Sequence, residues 1–351
     1  MLAAEAIEPD GCIDGRYYVV ESLGNGTGGD VYRVRDDHLD TEVALKLLTP
    51  QAGEPATWDE AQMLKRLDSK FLLPVINADV VSGKDIRYIT TPVMDGGDLE
   101  NAASPYGVDP LKAARWGCAV GHGLDRMHKA GLLHRDVKPG NSFLNKNGSV
   151  LLGDLGLASA VDAQGVAPPR GTMATVAPEI IRDRAPCAIS TDIYSLAATV
   201  FFLLAGQYPT GQIEVSKVDR ASKIIKGEFL KLRDVAPQVS QSLGTIVDRG
   251  LSLDPANRPM SALDFANQLA SCGHHKRSWN RIAPHSGHDL CYEGVVAGKL
   301  TSVALICVIA AAGNDFDVQV MSGGRRSRKA KPGKVGKSQL PALLRSLFKD
   351  V

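Results

Sequence analysis

The spacing of apolar positions divides the chain into three stretches. Up to about residue 95 the apolar residues come in short runs rich in β-branched and aromatic side chains: 16–20, 31–35, 43–46, 72–76 and 86–94. Runs of that kind predict strands. One segment breaks the pattern, with Ala61, Leu64 and Leu67 at helical spacing and Glu60 in the first turn. Between 111 and 130, Ala113, Ala114, Val120, Leu124 and Met127 predict the buried side of a helix, and 150–152 reads as a strand. Residues 271–289 are polar and irregular. Beyond them, 290–296 predicts a strand, 300–312 an apolar helix and 316–321 a half-buried strand. Leu340, Leu343, Leu344, Leu347 and Phe348 fall at i, i+3, i+4, i+7 and i+8, the signature of a closing amphipathic helix. The pattern is α+β: a strand-rich start, a helical middle, and a small β-α-β-α module or extra layer at the end.

Length and charge sharpen the division. A chain of 351 residues exceeds the usual single-domain size. The formal charge of +1 conceals an asymmetry: residues 273–351 hold 13 Lys/Arg against 5 Asp/Glu, a net +8, while the first 272 carry −7. The tail is therefore a basic appendage. Six cysteines without C-x-x-C pairs suit a reducing compartment, and the first residues do not read as a signal peptide, so a cytoplasmic location is expected. The 300–312 run is too short for a membrane span, which needs about 20 apolar residues. A span there would also export Arg325, Arg326, Arg328, Lys329 and Lys331, against the positive-inside tendency. Membrane association is not expected.

Four stretches carry chemistry. His134-Arg135-Asp136-Val137-Lys138-Pro139-Gly140-Asn141 sets a carboxylate, an ammonium and an amide at fixed offsets. Phosphoryl transfer needs such a set: one group to take the proton of the attacking hydroxyl, one to offset charge on the moving phosphoryl group, one to hold a metal ion. Gly24, Gly26 and Gly29 fit G-x-G-x-x-G and are followed by a strand at 31–35, where a dinucleotide-binding unit requires a helix. Val43-Ala44-Leu45-Lys46 buries a strand that ends in a lysine, and 150–156 is a strand running into Asp154-Leu155-Gly156.

In this order and spacing the stretches resemble Hanks-type (eukaryotic-like) serine/threonine protein kinases, in a bacterial style. The resemblance covers roughly residues 14–270 and implies the bilobal kinase fold, with a small β-rich N-lobe and a large helical C-lobe. The division it implies is an N-terminal extension (1–13), a kinase domain (14–271, N-lobe 14–95 and C-lobe 96–271), a His-rich linker (272–289) and a basic module (290–351). The implied activity is transfer of the ATP γ-phosphate to Ser/Thr hydroxyls of proteins, in signalling or regulation and with autophosphorylation. ATP and Mg²⁺ are the implied cofactors, with Mn²⁺ able to take the place of Mg²⁺. Asp136 is implied as catalytic base, Lys138 as the γ-phosphate contact, and Asn141 and Asp154 as metal ligands. Lys46 would hold the α/β-phosphates, fixed by Glu60, with Asp59 the alternative and Glu54 a poorer one. Leu23, Gly24, Gly26, Gly29, Val31 and Ala44 would surround the nucleotide, with Thr91 as gatekeeper and Val93 and Met94 in the hinge. Glu179 would pair with Arg258, and Asp192 would brace the catalytic-loop backbone.

Some features depart from the pattern. Arg135 is of the kind that receives an activation-segment phosphate, yet 154–170 offers only Ser159 as a hydroxyl. Activation without phosphorylation of that segment's tip is expected, with Asp162 as a substitute charge facing Arg135. In the tail, His274, His275, His285 and His288 with Cys272 and Cys291 contain zinc-ligand types at a spacing that fits no established finger. The basic run 325–337 is a candidate contact for an acidic partner or nucleic acid, without the aromatics that base stacking uses. The alternative reading is a pseudokinase, a nucleotide-gated scaffold whose basic tail recruits its partner.

Overall fold

The structure, a computed structural model, describes residues 6–8, 10–26, 29–48, 67–212, 214–272, 277–285, 287–296, 299–311, 315–322, 325–327 and 334–351. Glu60, with Asp59 and Glu54, lies outside them, as do His274 and His275.

Six antiparallel strands build the N-lobe sheet: β1 (Cys12–Ile13), β2 (Tyr17–Gly26), β3 (Gly29–Asp36), β4 (Thr41–Leu48), β5 (Asn77–Val80) and β6 (Arg87–Pro92), in the order 1-2-3-4-6-5. Ile13, Tyr17, Val34, Leu45 and Tyr88 form its core. The expected N-terminal extension therefore overlaps the sheet, since Cys12 and Ile13 pair with Tyr18 and Tyr17. At the far end of β3, Arg16 clamps the buried Asp36 through two bonds of 2.7 Å. Register positions the cleft: Val31 lies opposite Lys46, and Ala44 opposite Thr91. Directly opposed residues share a face, so all four look to the same side of the sheet.

The C-lobe is organised on two helices, α1 (Pro110–Lys129) and α2 (Ile189–Ala205). Asp109 caps the first by accepting from the Lys112 N–H at 2.9 Å, Pro110 opens it, and Arg126, His128 and Lys129 face the negative end of its dipole. The apolar stripe expected for it is buried as read. From Thr191 to Ala205 the second helix is buried on every side and forms the middle of the lobe. Two short strands, β8 (Ser142–Leu144) and β9 (Val150–Leu152), lie under the cleft, and β7 (Leu132–Leu133) pairs with β10 (Ser159–Ala160).

The C-terminal region departs from the expected β-α-β-α order. β11 (Ser278–Ile282), β12 (Leu290–Val296), β13 (Lys299–Ala310) and β14 (Asp315–Ser322) form an antiparallel sheet, with β15 (Arg325–Arg326) and β16 (Lys334–Gly336) pairing with β14. The run expected as an apolar helix at 300–312 is thus a strand up to Ala310, and part of the expected His-rich linker is the first strand of this sheet. A continuous apolar run cannot be told from a buried helix by periodicity. Here Ala304, Ile306 and Val308 are buried on one face while Val303, Leu305 and Ile309 are half-buried on the other. Both faces of a central strand carry apolar residues, and that erases the alternation. The closing amphipathic helix is present as α3 (Leu340–Asp350), which lays Leu344, Leu347 and Phe348 on Trp279, Tyr292 and Ile306. Arg345 reaches back to the C-lobe, donating to the Arg233 carbonyl at 2.8 Å and to Asp234 Oδ1 at 3.0 Å.

Candidate active site

Strands β3 and β4, the 92–98 hinge and the loop around 138–143 enclose a cleft of about 540 Å³. Leu23, Gly24, Gly29, Val31, Ala44, Thr91, Val93 and Met94, all expected around a nucleotide, line it together with Lys46, Lys138, Asn141 and Asp154. Phe143, Leu73 and Val75 also line it, and sequence reasoning did not single them out. Phe143 follows the catalytic loop and faces the strand residues from the C-lobe side; its aromatic type after Asn141 was the available signal. Gly29 has a second reason to be glycine besides phosphate access. Its φ is +126°, and a Cβ there would stand 1.7 Å from the Leu47 carbonyl oxygen of the neighbouring strand.

The catalytic loop follows β7 and is held from below by Asp192, at the start of α2. Its carboxylate accepts the backbone N–H of Arg135 on Oδ1 and of His134 on Oδ2, both at 2.9 Å, with His128 Nε2 also 2.9 Å from Oδ2. These bonds hold Arg135 at φ +64°, a left-handed conformation that costs a non-glycine residue about 1–3 kcal/mol. Burial would push the Asp192 carboxyl up, but His128 and His134 outweigh it and hold the group below the usual carboxylate range.

Asp136, almost wholly buried, is the hub. Thr172 Oγ1 donates to Oδ1 at 2.6 Å, while Lys138 Nζ and Asn141 Nδ2 donate to Oδ2 at 2.8 and 2.9 Å. Lys138 also donates to Thr172 at 3.2 Å. Burial opposes ionisation, yet Lys138, Thr172 and His134 together hold the Asp136 carboxyl below its ordinary value. It is a carboxylate at neutral pH. Because Asn141 uses its amide nitrogen on Asp136, Oδ1 is the atom it can offer a cation. Across the cleft Lys46 Nζ forms an ion pair with Asp154, which sits at φ +53°, ψ +61° just before the turn at Leu155–Leu157. Lys46 is thus brought to Asp154; its expected partner Glu60 lies outside the described residues.

Two further locks shape the platform beside this cluster. Arg258 and Glu179 form a bidentate pair at 2.7 and 2.8 Å, with the guanidinium fully buried and also donating to Ser190 O. Arg135 sends Nε to the Leu157 carbonyl at 2.6 Å and Nη1 to the Pro168 carbonyl at 3.2 Å. Asp162, expected as a charge facing Arg135, accepts the backbone N–H groups of Gln164 and Val166 at 2.9 and 3.1 Å. It shapes a turn, the commoner use of an aspartate in a loop. The carbonyl oxygens of Leu157 and Pro168 thus bring the activation segment onto Arg135.

Comparison with known proteins agrees with this geometry. Residues 17–270 match the protein kinase domain family. The serine/threonine-protein kinase PknL of Mycobacterium tuberculosis is 33% identical over 278 residues, 73% of this chain and 65% of PknL. PknD of the same organism is 29% identical over 280 residues (75% of this chain, 40% of PknD), and PknJ 26% over 305 (82% and 51%). The chain spans between 40% and 65% of the length of these relatives. With nearly three-quarters of its length matched, the chain belongs to the protein kinase domain family.

Proposed function

We propose that this chain is a serine/threonine protein kinase that uses ATP with Mg²⁺. The observation that carries the reading is the Asp136 cluster facing the Lys46–Asp154 pair across a nucleotide-sized cleft. In the reaction a substrate hydroxyl attacks the γ-phosphorus, the bond from that phosphorus to the β,γ-bridging oxygen breaks, and the hydroxyl proton passes to Asp136 and on to solvent. A carboxylate held below its usual range is a weak base. Asp136 therefore orients the hydroxyl and takes its proton late, as a loose transition state allows. Lys138 and Lys46 supply positive charge to the phosphate oxygens from two sides.

The donor set fits Mg²⁺. Asp154 offers carboxylate oxygens and Asn141 Oδ1, both hard ligands, and Mg²⁺ completes its shell with water and substrate phosphates. When bound it would neutralise phosphate charge. Leu23, Val31 and Ala44 above and Phe143 below would sandwich the adenine, with Val93 and Met94 backbone groups at its edge. The kinase unit, expected over 14–271, also takes in β1 (Cys12–Ile13), and the basic region after it serves as an appended module. Among the described residues no helix is long and apolar enough to cross a membrane. The described cysteines carry free thiols, which suits a cytoplasmic setting.

Transfer of label from γ-labelled ATP to the chain and to a generic basic protein tests the proposal. Wild type should label in a divalent-metal-dependent way, and Asp136→Ala should lose roughly 10³-fold or more of the rate while keeping its circular dichroism. Equal labelling of the two proteins would overturn the enzyme reading and favour the nucleotide-gated scaffold.

A further inference from the structure

The C-terminal sheet gathers four soft ligand atoms at one point. Cys291 and Cys307 lie directly opposite each other on β12 and β13, with their sulfurs 3.6 Å apart. The loop from β11 to β12 closes a tight turn in which the His288 N–H donates to the His285 carbonyl at 3.0 Å and Gly287 takes φ +83°. This turn brings His285 Nδ1 to 3.2 Å and His288 Nδ1 to 3.5 Å from the Cys291 sulfur. All four ligand atoms fall within 4.8 Å of one another. With Zn–N of about 2.0–2.1 Å and Zn–S of about 2.3 Å, a tetrahedron has edges of roughly 3.3–3.8 Å. The three separations from the Cys291 sulfur, 3.2, 3.5 and 3.6 Å, sit around those edges, and the rest lie within 4.8 Å.

We infer that His285, His288, Cys291 and Cys307 form a structural zinc site of the Cys₂His₂ type. Two neutral imidazoles and two thiolates bring a divalent ion to zero net charge, which makes the site tolerable beside buried strands. Both thiols lose their protons to solvent as the metal binds. His285 is exposed and His288 half-buried while both sulfurs are buried, so the ion enters from the turn side.

Placement in the sheet gives the site a purpose. Ala304, Ile306 and Val308 face α3, and Cys307 alternates with them, so the cluster lies on the face that α3 leaves uncovered. A sheet of this size covered by one short helix has a small core, and small cores recurrently need a metal or disulfide to hold. The ligand set also differs from the residue types that the sequence alone offered. Cys272, one of the zinc-ligand types noted in the tail, ends the 262–271 helix with its sulfur 3.0 Å from the Leu269 carbonyl. Cys307, hidden in the apolar run, takes its place.

The test uses the full chain, purified without chelator and without a metal-binding tag. Elemental analysis should find about one zinc per chain, and Co²⁺ exchanged into the site should give the intense visible bands of tetrahedral thiolate coordination. Cys307→Ala should lose both. His285→Ala, at an exposed position whose loss leaves the sheet packing intact, should weaken Co²⁺ binding roughly 100-fold. Cys272→Ser should leave metal content and spectrum unchanged. Wild type that takes up neither ion, with Cys291 and Cys307 recovered as a disulfide, would overturn the inference. So would a cobalt spectrum that survives Cys307→Ala or disappears with Cys272→Ser.

Discussion

Buried positions are filled differently in the two parts of the molecule. In the kinase body Arg258, Asp192 and Asp136 are charged and nearly inaccessible, and each is surrounded by partners that match its donors or acceptors. In the C-terminal module the core that α3 covers is apolar and aromatic, with Trp279, Tyr292, Ile306, Val318 and Phe348 among its members and the Trp279 indole N–H satisfied by the Phe348 carbonyl at 3.1 Å. A paired buried charge adds little net stability against an apolar substitute, but it is costly to break from one side and fixes one arrangement. An apolar cluster contributes stability in proportion to the area it buries and tolerates exchange at constant volume. On the proposed function, the body is built for geometry at a reacting centre, and the module for cohesion.

Arg258→Ala presses hardest on that contrast. It leaves Glu179 buried without its guanidinium and should cost about 3–5 kcal/mol, seen as a fall in the urea midpoint of the kinase body. Arg258→Lys should rescue little, because a single ammonium cannot replace the bidentate fork. Phe348→Ala should follow closely, at about 3 kcal/mol or more, because it empties the contact between Trp279 and Tyr292. Its effect should appear in Trp279 fluorescence and hydrogen exchange of the sheet, with phosphotransfer changed far less. Equal loss in both regions would mean that the two cores melt as one unit.

The contrast also explains what the sequence revealed. The proposed phosphoryl transfer demands particular atoms at particular offsets, and Asp136, Lys138, Asn141, Lys46 and Asp154 were legible as residue types in order. Asp192 and Arg258 were legible for the same reason, since their partners are backbone and charge. The module had only apolar pattern to read, and the both-sided burial of β13 removed the alternation that separates strand from helix. Cys307 was invisible as a partner of Cys291 because only sheet register puts them together. Asp162 has a use that its charge alone did not reveal: its carboxylate accepts local backbone N–H groups in a turn.

Acid should separate the two regions, by an amount smaller than either core substitution near neutral pH. Asp192 and Asp136 have folded-state pKa values held below those of the unfolded chain. Their contribution is therefore present above the unfolded value of about 3.9 and is lost as pH falls through the folded values. Urea unfolding of the body should weaken below about pH 4, and Asp192→Asn should flatten that dependence while lowering stability at pH 7. In the module core cluster no residue is a carboxylate. Hydrogen exchange of its sheet should respond less over the same acid range.

The smallest effect is expected where the two regions meet. Arg345 donates to the Arg233 carbonyl and to Asp234, but Asp234 is half exposed and the guanidinium a quarter exposed. Water and salt screen such a pair, and holding the long side chain in one rotamer costs entropy, so Arg345→Ala should change stability by only about 0–1 kcal/mol. Its value lies in what it reports. If the module is fastened mainly by Arg345 and by Arg281 stacked on Tyr106, then Arg345→Ala should raise hydrogen exchange around 232–235 and on α3 with both cores unchanged. If exchange in the module core rises with it, docking on the C-lobe supports the sheet. The module's cohesion would then depend on the kinase body and not on its own packing.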